Sequence, residues 1–361
     1  MTHIAHHGLD LARRALRGTT MRTRSILVGI AAAILFSVHL AGAQDTKVPR
    51  VGVILQGGPW YAIVEGLRDG LRELGLAEGK QFVLDIRDTR GDLKAVEDAA
   101  KSLEQQKVNL IYTAATSVSL VAKRVTKNIP IIFVAGTNPV TVKLVESIPA
   151  PGGRLTGVYF RSTDLMGKRL ELLREIIPNL HRVVTFYNPS NRSAVEAAKE
   201  AREAANNLGL DLVERQVASI EDLKKALQAY TAGEADAFIS VSDAMVDSQI
   251  QLVIDTGKTK NLPTMLYEPS SVLQGGLATY SGDFNEIGRL SAKYVQRVLA
   301  GANPALMPVE SIDRLMFVIN LKTAKQIGLN IPGSTSPGGQ GNRVTMDRCM
   351  SLLGHKRTLC P

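Results

Sequence analysis

The chain has 361 residues, 45% of them hydrophobic, two cysteines and a formal net charge of +9. The charge lies at the ends: residues 1–43 hold five Lys/Arg against one Asp, and 333–361 hold four against one, leaving 34 basic and 32 acidic side chains in 44–332. A net of +2 over those 289 residues excludes a basic footprint for nucleic acid, and the lack of cysteine there excludes a disulfide framework or a Cys₄ zinc site.

Arg22 and Arg24 precede an apolar run, Ile26 to Leu40, which leads into Ala41-Gly42-Ala43. Charged region, apolar region and small-residue cleavage site together read as a secretory signal peptide over 1–43. A membrane anchor is the competing reading, but the run has 15 residues, Ser37 and His39 among them, where roughly 18 or more are needed to span. Met21 is the better start, since Met1–Thr20 do not belong to a normal charged region. The mature chain is expected in the periplasm. Its length exceeds the common single-domain size and predicts two lobes with separate cores.

From Arg50 the pattern alternates strand and helix. Val51–Leu55 is a nearly continuous apolar strand of the kind buried in a parallel sheet. Ile63, Leu67, Leu71 and Leu74 then recur at helical spacing, with Gly75 as the C-terminal glycine. Phe82, Leu84 and Ile86 alternate as a strand, and Asp92 caps a helix carrying Val96, Ala100 and Leu103. Val108–Tyr112 predicts a strand, Ser117–Lys127 a helix and Pro130–Val134 a strand. A second series follows Pro151-Gly152-Gly153. It has helices over Asp164–Ile177, Asn191–Leu208 and Ala244–Thr256, strands over Val183–Tyr187, Leu210–Val213, Ala237–Val241 and Pro263–Tyr267, and a Ser219/Asp222 capping pattern before Leu223 and Leu227. Phe284–Leu299 gives one more helix and Met316–Asn320 a late strand. The same α/β grammar is written twice, and the fold class is α/β with two doubly wound parallel-sheet lobes. The Gly/Ser/Pro-rich start of 333–361 predicts a disordered tail, in which Cys349 and Cys360 either pair after export or are incidental.

Enzymatic chemistry is poorly supplied. Of six histidines only His181 lies in 44–332, so Cys–His pairs and a His₃ metal site are unavailable there. Gln56-Gly57-Gly58-Pro59 lacks the G-x-G-x-x-G spacing of a dinucleotide loop, and Pro59 removes an N–H that a phosphate would use. No cofactor and no metal are expected. An enzyme here would have to use Asp243 and Glu268, and no fixed spacing supports that.

Small polar loops follow several strands instead: Thr113–Ser117, Gly136–Pro139, Asn188–Asn191, Ser242-Asp243 and Glu268–Ser271. Parallel sheets bind ligands at these strand ends, where hydroxyls and helix N-terminal N–H groups receive anions. Neutral donors in the first half and Asp243 with Glu268 in the second suit the carboxylate and ammonium of an amino acid. Each such residue is equally explained as a helix cap.

Several segments, in order, carry a resemblance: Glu65–Gly75, Ile129–Val134, Pro151–Val158, Gly167–Leu173, Gly275–Tyr280 and Asn320–Lys325 followed by Gly328-Leu329. In these the chain resembles the ABC transporter substrate-binding proteins of the periplasmic binding protein type I fold, in the branch of tryptophan/tyrosine-type uptake receptors. It departs from that pattern at Asn138, where Asp is common before Pro-Val, and at Arg154, where Asn often follows Pro-Gly-Gly. No lipobox cysteine precedes Gln44. The resemblance implies lobe one from 50–160 plus 281–308, lobe two from 161–280 plus 309–332, and a three-crossing hinge between them.

The expected function is an extracytoplasmic solute-binding protein that closes on a small molecule, an amino acid or related small carboxylate. It would deliver that ligand to an inner-membrane ABC permease with its ATPase, and nucleic acid is not a partner. A ligand-sensing receptor module and an exported α/β enzyme are the alternatives. The expected ligand-binding residues are Gln56, Trp60, Thr116, Ser117 and Asn138 on lobe one, and Asn188, Asp243 and Glu268 on lobe two. Trp60 either stacks on the ligand or anchors a helix start. Asp243→Ala is expected to weaken binding and leave the fold intact.

Overall fold

The structure, a computed structural model, describes residues 48–312, 314–331 and 342–346. The expected signal peptide and both cysteines lie outside the described residues. The described residues form one compact unit built on two sheets.

The first sheet contains β1 (Arg50–Leu55), β2 (Val83–Asp88), β3 (Leu110–Ala114), β4 (Ile131–Ala135), β5 (Leu155–Tyr159) and β11 (Glu310–Ser311), in the order β11-β5-β4-β3-β1-β2. All its pairings are parallel. β3 and β4 are buried along their whole length and β1 from Val51 on, which is why they read as unbroken apolar runs: helices cover both faces. These helices are α1 (Tyr61–Glu73), α2 (Leu93–Gln105), α3 (Thr116–Val125) and α10 (Phe284–Leu299).

The second sheet runs β13-β12-β10-β9-β8-β6-β7, with β6 (Arg182–Tyr187), β7 (Asp211–Gln216), β8 (Ala237–Ile239), β9 (Thr264–Leu266), β10 (Ala278–Ser281), β12 (Met316–Asn320) and β13 (Asn342–Met346). Only the β10–β12 pairing is antiparallel. Its helices are α4 (Met166–Ile176), α5 (Arg192–Asn207), α6 (Ile220–Ala229), α7 (Ala244–Ser248), α8 (Ile250–Thr259), α9 (Pro269–Leu273) and α11 (Leu321–Gln326). The backbone of β13 pairs with β12 from Met316↔Asn342 to Asn320↔Met346, inside the stretch expected to be a disordered tail.

The chain passes between the sheets after β5, after β10 and between β11 and β12. Because β11 lies beside β5, the last passage comes after Ser311, not at 308. Sequence periodicity misses β5, β10 and β11, which are too short or too interrupted by Gly157 and Thr156 to stand out. The helix expected over 244–256 is broken at Gln249 into α7 and α8.

α10 returns from the second sheet to pack on α1 at backbone contact distance. A Cβ on Gly66 would overlap the carbonyl oxygen of Asn285, one on Gly70 that of Arg289, and one on Gly288 that of Ile63. Only glycine allows this approach, and it brings Phe284, at the start of α10, next to Trp60 just before α1.

Candidate functional site

In an open α/β sheet the ligand crevice opens at the carboxyl ends of the strands where strand order reverses. In the first sheet that point lies between β1 and β3, whose register pairs Ile54 with Thr113. Beyond Leu55 and Ala114 come Gln56 and Ala115–Thr116. In the second sheet it lies between β6 and β8, which lead into Asn188 and into Ser240–Asp243. The two switch points face each other in the structure. A Cβ at Gly58 would lie 3.0 Å from the backbone oxygen of Asp247, and one at Gly91 2.8 Å from Ser248 Oγ. Thr137 Oγ1 and Ser193 Oγ are hydrogen-bonded across the gap at 2.8 Å.

The lobe-one wall is built around the start of α3. Its N-cap is Ala115, held at φ 129° and ψ 149°, and no side chain caps the helix. An alanine in a region that favours glycine is strained. The α3 N-terminus thus presents first-turn N–H groups with no side-chain acceptor. Thr116 Oγ1 does not reach them; it accepts from the N–H groups of Gly136 (3.0 Å) and Thr137 (3.2 Å), which fixes the neighbouring loop. Ser117 is buried beside it. Gln56 is buried, and its Nε2 has no hydrogen-bond partner.

On the lobe-two wall most helix starts are closed by their own side chains. Asp243 Oδ1 accepts from Met245 N (2.9 Å) and Val246 N (3.1 Å), and Oδ2 from Asn188 N (2.7 Å) and Asn191 Nδ2 (3.5 Å). Glu268 caps α9 through Ser270 N at 2.8 Å and the Ser270 hydroxyl. Asn188 Oδ1 accepts from Ser190 N, and on lobe one Asn138 Oδ1 accepts from Val140 N, each at 2.9 Å. Asn138 therefore does with an amide oxygen what a carboxylate would do there. The other departure, Arg154, donates to the carbonyls of Ile129, Lys123 and Thr126 and ties two loops together.

Asp247 is different. It is 0% exposed, and neither carboxylate oxygen has a hydrogen-bond partner. Burial pushes its carboxyl well above the usual range, the nearby charges of Asp243 and Glu268 add to this, and Arg169 acts against them. Arg169 is itself buried and lies over the Tyr267 ring at 5.3 Å. Its guanidinium is committed to Tyr280 O (2.9 Å), Ser162 O (3.3 Å) and Ser162 Oγ (3.1 Å), and burial brings it down to about 10. A buried, unpaired carboxylate is among the most costly arrangements in a protein, and a cation supplied from outside would relieve it.

Between the walls lie four aromatic rings. Trp60 contacts Phe284 (centroids 5.1 Å) and Tyr267 (6.0 Å), and Phe160 contacts Phe284 (5.3 Å) and Tyr267 (6.0 Å). Tyr267 Oη is hydrogen-bonded to Ser242 Oγ at 2.8 Å, and a side chain at Gly136 would overlap that hydroxyl. Rings from both lobes thus meet beside Asp247.

All eight residues expected from the sequence lie at the facing strand ends. Asn138, Asn188, Asp243 and Glu268 have side-chain oxygens occupied by local caps, whereas Gln56, Trp60, Ser117 and the α3 N-terminus keep donors in reserve. Sequence reasoning missed Asp247, Arg169, Phe160, Tyr267 and Phe284. A signal for Asp247 existed: it precedes Ile250 and Ile254 by three and seven, on their buried stripe. Among the described residues no cluster of His, Cys, Asp and Glu could hold a metal.

Glu268 gives a pH prediction. Burial raises its carboxyl from 4.5 to about 7, so the folded state binds this proton more tightly than the unfolded state. The contribution is present below the unfolded value and is lost as pH rises through about 7. The ligand-free protein should lose on the order of 3 kcal/mol over that window. Urea unfolding at a series of pH values checks this; Glu268→Gln, which can still cap α9, should flatten the slope.

The chain belongs to the ABC transporter substrate binding proteins, whose family model matches residues 49–337. These are binding proteins that work outside the cytoplasm, not enzymes. Among the described residues no helix is long and apolar enough to cross a membrane. A tyrosine-binding protein of Clostridioides difficile is 26% identical over 73% of this chain and 76% of its own length. A conserved domain protein of Vibrio cholerae is 30% identical, covers 80% of this chain and 97% of its own, and superposes with a TM-score of 0.75. A Streptococcus pneumoniae ABC domain in complex with L-Trp is 27% identical over 79% of this chain and 96% of its own, with a TM-score of 0.73.

Proposed function

We propose that this protein is the periplasmic receptor of an ABC importer for an aromatic L-amino acid, which it encloses between its lobes and delivers to the permease and ATPase of the inner membrane. The observation that carries this reading is Asp247: a fully buried carboxylate with both oxygens unpartnered on the second lobe, while the first lobe has at its switch point a helix N-terminus that no side chain caps. The ligand's ammonium goes to Asp247. Its carboxylate goes to the first-turn N–H groups of α3, with Ser117 and Gln56 beside them. Gln56 belongs to this group because β1 and β3 are neighbours.

The side chain then lies among Trp60, Phe160, Tyr267 and Phe284, which favours an aromatic group. The similarity to a tyrosine-binding protein and to an ABC domain in complex with L-Trp supports the same class. Binding closes the cleft by rotation about the three passages, since only the closed state lets one ligand touch both α3 and Asp247. The family consists of binding proteins, and the role is capture and release.

The test is calorimetric titration of the mature protein with each proteinogenic L-amino acid. Saturable, stoichiometric binding of aromatic members, recovered unchanged, is the expected result. Binding confined to sugars or to small aliphatic acids would overturn it.

A further inference from the structure

Gly136 and Thr137 follow β4 on lobe one, and two separate observations set lobe two directly against them. A Cβ on Gly136 would overlap the Tyr267 hydroxyl and lie 3.3 Å from Ser242 Oγ, both groups of lobe two. Thr137 Oγ1 and Ser193 Oγ are hydrogen-bonded at 2.8 Å, and both residues are buried. Tyr267 has little room to step aside for a methyl group. Its ring packs against Trp60, Phe160 and Phe284 at 5.9–6.0 Å, Arg169 lies over it at 5.3 Å, and its hydroxyl is bonded to Ser242. Gly136 has no positive φ, so close approach, not backbone conformation, is what requires glycine there.

The same two residues are tied to the ligand wall and to the hinge. The N–H groups of Gly136 and Thr137 donate to Thr116 Oγ1 at the start of α3, at 3.0 and 3.2 Å. Gly136 O accepts from Ser162 N at 2.7 Å, where the chain first passes between the sheets. Resting on the capture-and-release reading above but not on its ligand class, we infer that Gly136-Thr137 is the closure contact of this binding protein. Gly136 is the seat for Tyr267 and Thr137 the latch to Ser193, and together they position α3 against lobe two. Opening the cleft must break the hydroxyl pair and withdraw Tyr267 from its seat. The contact therefore favours closure whichever ligand is bound, and apparent affinity scales with the closed fraction.

The test combines calorimetry, with L-tyrosine and L-tryptophan as probes, and X-ray scattering of the ligand-free proteins. Thr137→Val should weaken both probes by one common factor, about three- to tenfold, the size of one neutral hydrogen bond. Gly136→Ala should weaken both by about tenfold or more, again with the ratio of the two Kd values unchanged. Thr137→Ser, which keeps the hydroxyl, should bind as the wild type does. Without ligand, Gly136→Ala and Thr137→Val should both have a larger radius of gyration than the wild type.

A changed ratio of the two Kd values would mean that these residues touch the ligand, and it overturns the inference. So does a Thr137→Val protein of unchanged affinity, or a Thr137→Ser protein that falls as far as Thr137→Val, since that reports packing. Equal radii for the wild type and both variants overturn it as well. If the wild type binds neither probe, the aromatic ligand class is lost and the radii alone decide: larger in the variants upholds the closure contact, equal removes it.

Discussion

Asp247→Asn should abolish high-affinity binding and leave the empty protein at least as stable as the wild type. Truncating one partner of a buried, hydrogen-bonded charge pair costs about 2–5 kcal/mol, which is roughly 30-fold to several thousand-fold in Kd. The opposite effect on stability follows from the same carboxylate. In the empty protein it is buried and unpaired, so neutralising it removes a penalty. Calorimetry for affinity and urea unfolding for stability separate the two effects. A variant that binds L-tyrosine normally would take Asp247 out of the site.

A second signature concerns protons. Burial holds the Asp247 carboxyl well above its usual range in the empty protein, and a bound ammonium favours the ionised form. Between the ordinary carboxylate value and the raised one, binding must therefore expel a proton. Affinity rises with pH through that interval and levels off above it. The apparent binding enthalpy should then vary with the ionisation enthalpy of the buffer, and the variation should vanish in Asp247→Asn. Asp243 offers the contrast. With four hydrogen-bond donors on its oxygens, Asp243→Ala should lower stability by about 1–3 kcal/mol through the orphaned N–H groups and the lost cap.

Gly66→Val or Gly288→Val should destabilise the folded unit by about 3 kcal/mol or more, at the upper end of overpacking costs. The new side chain would have to displace a backbone carbonyl of the partner helix, not a flexible side-chain tip. Relieving the overlap moves α10 off α1 and carries Phe284 away from Trp60, so aromatic ligand affinity should fall along with stability. The measurement is the urea midpoint at unchanged m-value. A midpoint within error of the wild type would mean that the two helices can part at no cost.

The class of fold was legible because parallel sheets write long apolar runs, and amphipathic helices between them write a period near 3.6. Strand-end loops were legible too, since Ser, Thr, Asn and Asp cluster there. The roles of those residues were not. A carboxylate before a helix looks the same whether it caps that helix or meets a ligand, and Asp243 and Asp247 differ only in what surrounds them once the lobes have come together. Short strands such as Glu310–Ser311 left no periodic trace, and their place in the sheet came from pairing with β5.

Composition and pattern alone determined that this is an α/β chain with two sheets, little titratable machinery beyond carboxylates, and polar loops at its strand ends. These properties are local and follow from residue type and spacing. Tertiary structure decided which buried groups are satisfied and which are left over. Desolvation and hydrogen-bond partnership depend on neighbours brought from more than a hundred residues away, as Arg169 meets Tyr280 and Phe284 meets Trp60. The unpartnered carboxyl of Asp247 and the unpartnered donors of Gln56, Trp60 and α3 exist only in the folded cleft, and they are what a ligand must complete.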